Sequence, residues 1–216
     1  MNVDIVQIII QVVVFLFAIS VHESAHAWTA SYFGDPTARM LGRVSLNPIR
    51  HIDLLGTVIL PLMALVYHFP MIGWAKPTPV DPRNFGERYV FADIMTSVAG
   101  PVSNFIVAIA ALIAEIILLR MFGHGGSQPS FFDPLSVLFI FSMEINILLA
   151  IFNLIPIPPL DGSHVLRHFL SESARTVYDR IGWIGLILFF LVGGRVIATL
   201  MAPVTAFFFT LLQRFA

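Results

Sequence analysis

Five stretches of the chain are apolar enough to read as helical spans. The first is Ile5–Tyr32. The second, 54–69, is short for a bilayer and contains Gly56 and Pro61. The third is Tyr89–Phe122. The fourth, 134–154, ends in "NLIPIPPLDG". The fifth, 181–215, is interrupted by Gly193, Gly194 and Arg195, which fits either two short spans or one long bent helix. The pattern predicts an all-α polytopic membrane protein with five to six transmembrane helices, organised as one domain over 1–216. Its core would lie in about 5–170, with a C-terminal helical region in about 176–215.

The polar stretches between these spans carry their own signals. "GDPTARMLGRVSLNPIRHID" is turn-rich. "MIGWAKPTPVDPRNFG" holds Pro77, Pro79 and Pro82, just after Pro70, and so cannot be helix. Alternation around 77–80 predicts an extended strand or hairpin there, a membrane-embedded re-entrant element following the short second span. "GHGGSQPS" reads as a loop. No internal repeat is visible.

Composition sharpens the class. The chain is 57% hydrophobic and 12% charged over 216 residues, against about 25% charged in ordinary soluble domains. A net charge of -1 gives no reason to expect nucleic acid as a partner; the lipid bilayer is the expected environment. With no cysteine, any metal must be held by nitrogen and oxygen ligands. The start "MNVD" has no positive charge and no clean cleavage site follows the first apolar run, so we read an uncleaved first span rather than a signal peptide.

The first span ends in "HESAH", which places His22, Glu23 and His26 where the chain should be buried in lipid. Ionisable groups at that depth are costly and usually mark function. Residues four apart share one helix face, so both imidazoles can bind one metal while the glutamate addresses a water. Zinc lowers the pKa of such a water to about 7, and Glu23 would accept its proton and pass it to a leaving amine. Gln7 and Gln11 fall roughly on the same face, suggesting a polar stripe toward the bundle interior.

A catalytic zinc needs a third protein ligand. Asp161 is the candidate that stands out. Pro156, Pro158 and Pro159 stop the fourth helix, irregular backbone at membrane depth is tolerated where it is buried in protein or lines a cavity, and Gly162 permits a tight turn beside the carboxylate. His51, His164, Glu115 and Glu144 are rivals, the two glutamates because they too lie inside apolar spans.

"HESAH", "AGPVSN" and "NLIPIPPLDG" occur in the order found in the site-2 protease family of intramembrane zinc metalloproteases, which this chain resembles over roughly 15–170. "GRVSLNPIRHIDLLGT" and "GWAKPTPVDPRNF" are similar to compact members without a PDZ-like or nucleotide-sensing domain. The resemblance implies His22, His26 and Asp161 as zinc ligands, one ion per chain, and Glu23 as catalytic acid/base. It implies positions near the site for Asn104 and Asn153, with roles in orienting substrate or stabilising the oxyanion; interhelical packing is the plainer reading of both. It implies transmembrane proteins as substrates, in regulated intramembrane proteolysis.

Sharing one zinc also constrains topology. "HESAH" lies near the end of the first span and Asp161 past the end of the fourth, so the chain must cross the membrane an even number of times between them. The short second region is the natural exception, dipping in and returning. The catalytic side then carries Arg39, Arg43, Arg50, Arg83, Arg88, Arg167, Arg175 and Arg180, while the other side has Arg120 before the fifth region. By the positive-inside rule the catalytic side is cytoplasmic in a plasma-membrane protein. The Pro-rich strand would offer an edge for an extended substrate. A transporter using His22, Glu23 and Asp161 as a relay, or a silent zinc-binding membrane protein, are the alternatives.

Overall fold

The computed structural model describes residues 5–59, 63, 74–122, 132–192 and 194–216. Helix α1 is Ile5–Tyr32 and α2 is Thr37–Met40. A 3-10 turn at Pro48–Arg50 and a π-helical turn at Leu54–Ile59 follow. A second 3-10 segment, Pro82–Arg88, leads into α3, Tyr89–Phe122. Then come α4, Phe132–Asn153, the short α5, Asp161–Arg167, α6, Glu172–Val192, and α7, Gly194–Phe215. Among the described residues, four helical stretches are long and apolar enough to cross a membrane: Ile5–Tyr32, Pro82–Phe122, Pro134–Asn153 and Arg195–Phe215. The all-α membrane class predicted from the pattern is therefore the observed one. The fifth apolar region forms two helices, α6 and α7, on either side of Gly193.

The chain divides into two compact units, one of Ile19–Gly100 and one of Met1–Ala18 with Pro101–Ala216. In the latter, Ala108, Ala111 and Leu112 of α3 pack with Met143 and Ile147 of α4 and Phe208 and Leu212 of α7. Lipid is as apolar as leucine, so close packing rather than escape from water holds such helices together, and the two alanines bring α3 near its neighbours. Asn104 adds a polar link. It is wholly buried, and its Nδ2 donates to Asn146 Oδ1 at 2.7 Å and to Ala18 O at 3.3 Å. Such a bond is worth about 0.6–2 kcal/mol in a membrane.

In the Ile19–Gly100 unit, α1 ends at Gly34, whose φ of 108° lies in the left-handed region that glycine tolerates. Asp35 then clasps the next turns. It accepts from Thr37 N at 3.1 Å, Asp81 N at 2.8 Å and Asn84 Nδ2 at 2.8 Å. Burial pushes the Asp35 carboxyl up, but these bonds and that from the Thr37 hydroxyl outweigh it and hold it below the usual carboxylate range. A lowered pKa in the fold means that this clasp stabilises fully above about pH 4 and fades as the pH falls through the folded-state value.

Residues 74–80 form neither helix nor strand, and no β-ladder occurs among the described residues. The strand or hairpin expected around 77–80 is therefore not seen there, and the part of the expected re-entrant segment at 60–62 and 64–73 lies outside the described residues. The two ends of the expected re-entrant segment lie side by side. Trp74 N donates to Gly56 O at 3.2 Å, Thr57 Oγ1 donates to Trp74 O at 2.7 Å, and Lys76 N donates to His51 O at 2.8 Å. The chain that leaves at Thr57 is back beside it at Trp74. A Cβ on Gly56 would sit 2.5 Å from the Trp74 ring, so glycine is what permits this closure.

The return makes a labelling prediction. Arg50 and Arg83 lie before and after the excursion, and the native chain has no cysteine to interfere. Cysteines placed singly at these positions should react with a membrane-impermeant thiol reagent from the same side of sealed vesicles. Labelling from opposite sides would mean that the segment crosses.

Candidate active site

Two imidazoles converge on α1. His22 and His26 are 7% and 8% exposed, and their Nε2 atoms stand 3.0 Å apart. Their rings meet edge to face. Helical spacing puts them on one face, and His26 is further fixed by Nδ1 donating to Thr96 O of α3 at 2.7 Å. A carbonyl can only accept, so in the neutral ring the proton sits on Nδ1 and the Nε2 lone pair is left to bind. Two nitrogens on a tetrahedral zinc at about 2.0–2.1 Å would lie about 3.3 Å apart. The pair is within a few tenths of an ångström of that arrangement, so the donor set fits the ion.

Gly100 completes the pocket around the two rings. A Cβ there would come within 2.4 Å of His26 Nε2 and 2.6 Å of His22 Nε2. The glycine of "AGPVSN" is thus the wall that leaves the two Nε2 atoms room, a role its sequence context did not reveal.

Glu23, one residue on, is half-buried and held from another direction. Its Oε2 accepts from Thr78 N at 2.8 Å, and its backbone carbonyl accepts from Thr78 Oγ1 at 3.0 Å. One carboxylate oxygen is thereby anchored, and the other can address a water. The contact also revises the substrate-edge expectation. Pro77 and Pro79 have no N–H, Thr78 N–H is spent on Glu23, and Lys76 N–H on His51. The 76–79 backbone therefore has no donor left for an added strand.

Three comparisons bear on this site. The model of Peptidase family M50 matches residues 10–125 and 120–192. The chain belongs to Peptidase family M50. This is the site-2 protease family that its motifs resemble, and the chain is a zinc metalloprotease. Over 179 residues it is 36% identical to "Putative zinc metalloprotease YwhC" of Bacillus subtilis, covering 82% of this chain and 77% of that one. It is 27% identical over 180 residues to "Putative zinc metalloprotease Rip2" of Mycolicibacterium smegmatis, with 78% of this chain matched to 60% of the relative's length. No solved structure matches significantly.

The other candidate residues of this M50 chain lie as follows. Asp161 is half-buried at the first turn of α5, in the unit that holds α4 to α7. Gly162 beside it is required by close approach rather than by a left-handed turn: a Cβ would lie 2.2 Å from Leu154 O. Asn153 is half-buried and donates back to Leu149 O at 3.0 Å within α4. Of the rival ligands, His51 is fully buried, with Nε2 2.7 Å from Ser45 O, and braces the connector. Glu115 is 2% exposed and accepts from Ser136 Oγ of α4. Gln7 is exposed and Gln11 half-buried, so the buried polar face of α1 begins at Ser20 rather than at the glutamines.

The Gly100 wall is testable by metal content. Gly100→Ala should weaken zinc binding roughly 10–100-fold, the scale on which groups that orient metal ligands act, while the protein remains in the membrane at normal abundance. Zinc analysis of purified protein decides it. Full stoichiometry at low free zinc would show that the two rings have more room than their geometry indicates.

Proposed function

We propose that this protease hydrolyses peptide bonds within or near transmembrane segments of other membrane proteins. The observation that carries the proposal is the location of the chemistry: a buried imidazole pair and a glutamate within a helix apolar enough to span a bilayer. A protease built this way meets its substrate where soluble chains do not go. We assign one zinc per chain to His22, His26 and Asp161, supported by the family motifs and by the fit of the two imidazoles.

The zinc, when bound, polarises the scissile carbonyl and makes water acidic enough to attack near neutral pH. The chain's own groups do the rest. The Thr96 carbonyl keeps His26 in the binding tautomer. Glu23 takes a proton from the attacking water and gives it to the leaving amine, so that hydroxyl ends on the carbonyl carbon and hydrogen on nitrogen. Thr78 N–H keeps that carboxylate from rotating away. Asn153, half-buried at the end of α4, is assigned to orient substrate. Asn104 would join it only by exchanging its present interhelical bonds.

For sidedness, we place the protein in the plasma membrane with the catalytic end cytoplasmic, on the strength of the arginines that cluster in the connectors on that side.

Glu23→Gln should abolish cleavage with zinc retained, since the amide keeps the shape and cannot take a proton. His22→Ala, His26→Ala and Asp161→Ala should each lose zinc, whereas Glu115→Ala and Glu144→Ala should keep it. Comparing the membrane proteomes of cells with the native and Glu23→Gln proteins should reveal uncleaved transmembrane proteins accumulating in the latter. Normal cleavage by Glu23→Gln, or identical proteomes, would overturn the proposal.

A further inference from the structure

The connector between α2 and the π-helical turn contains a buried arginine that the mechanism above leaves unused. Arg43 is 6% exposed. It enters the interior because α2 ends in a Schellman turn. Gly42 adopts φ 67°, its N–H bonds Arg39 O at 2.9 Å, and Arg43 N bonds Ala38 O at 2.9 Å. Inside, the guanidinium meets no carboxylate in direct contact among the described residues. It binds backbone carbonyls instead: Nη1 donates to Arg50 O, and Nη2 donates to Lys76 O at 2.5 Å and Pro77 O at 2.9 Å.

Burying an arginine on three neutral carbonyls is expensive and needs a reason. Burial lowers the Arg43 pKa, and the negative charge of Glu23 opposes that effect. The position of the carbonyls supplies the reason. Lys76 and Pro77 immediately precede Thr78, whose N–H holds Glu23 Oε2. Pro77 and Pro79 deprive the segment of the donors by which an ordinary strand would be fixed. A planar fork with several donors can grip adjacent carbonyls at once; a lysine ammonium cannot do so in the same geometry.

We propose that Arg43 is a positioning residue for Glu23, acting through the backbone of Lys76, Pro77 and Thr78. The inference rests on Glu23 as the acid/base. Arg43 locks this segment, and the locked segment presents the Thr78 amide to the carboxylate. Without the lock, Glu23 remains present and zinc remains bound, but the carboxylate loses its fixed orientation.

The test uses full-length protein in detergent and, as substrate, a synthetic peptide carrying a transmembrane segment that accumulates in Glu23→Gln membranes. Arg43→Lys and Arg43→Ala should lower kcat on the order of a hundredfold, the cost of a small misplacement of a catalytic group. KM and zinc content should stay near those of the native protein. Thr78→Pro, which removes the amide, should do the same. If Arg43 acts through that amide, the Arg43→Ala/Thr78→Pro double variant should be no slower than the slower single variant. Multiplying losses, or a rise in KM with kcat unchanged, would overturn the proposal. Hydrogen exchange gives a readout that needs no substrate. The Lys76 and Thr78 amides, flanked by prolines that have none, should exchange faster in Arg43→Lys than in the native protein. Unchanged exchange would also overturn it. Normal cleavage by Glu23→Gln would instead remove the acid/base reading itself, and is seen separately from either result.

Discussion

Everything in this protein turns on the cost of placing two imidazoles and a carboxylate in an apolar helix. A polar group at membrane depth that lacks a partner costs several kcal/mol, so each must be held by something that cannot drift. His26 is held by a backbone carbonyl of α3 and Glu23 by a backbone amide. The partners are mainly main-chain groups, which carry no net charge and are fixed by the fold. Each restraint also selects a chemically useful state. The carbonyl chooses the tautomer of His26, and the amide leaves one oxygen of Glu23 available.

That solution makes irregular backbone necessary. A regular helix or sheet has already committed its N–H and C=O groups. The proline-bearing segment at 74–81 has not, and so it can lend Thr78 N–H to Glu23 and two carbonyls to Arg43. Trp74 lies beside Gly56 and Thr57, and four residues later Thr78 reaches Glu23 of α1. The small residues follow from the same geometry. Gly56 admits the Trp74 ring, Gly100 admits the imidazoles, and Gly162 admits the Leu154 carbonyl.

Much of this was legible in the sequence. Helical spans announce themselves by length and hydropathy, and α3 begins and ends where its apolar run does. "HESAH" was readable because its spacing is a statement about one helix face. What escaped reading depends on contacts between distant residues. Nothing local to Arg43 distinguishes it from Arg39, which lies four positions earlier on the surface. The turn signal in "MLGR" shows that the chain reverses there, but not that the next side chain points inward. Gly100 sits in a recognised motif, yet its purpose appears only once the two rings are seen against it. The alternation around Thr78 suggested a free strand edge. The prolines that produced that pattern are also what prevent the segment from being one.

The most direct test of the metal centre is X-ray absorption at the zinc edge on purified full-length protein. Two imidazole shells with nitrogen at about 2.0–2.1 Å and a light oxygen shell are expected, with zinc near one per chain. A spectrum with a single imidazole, or protein that is active with no zinc, would contradict the pairing of His22 and His26 on which the catalytic reading depends.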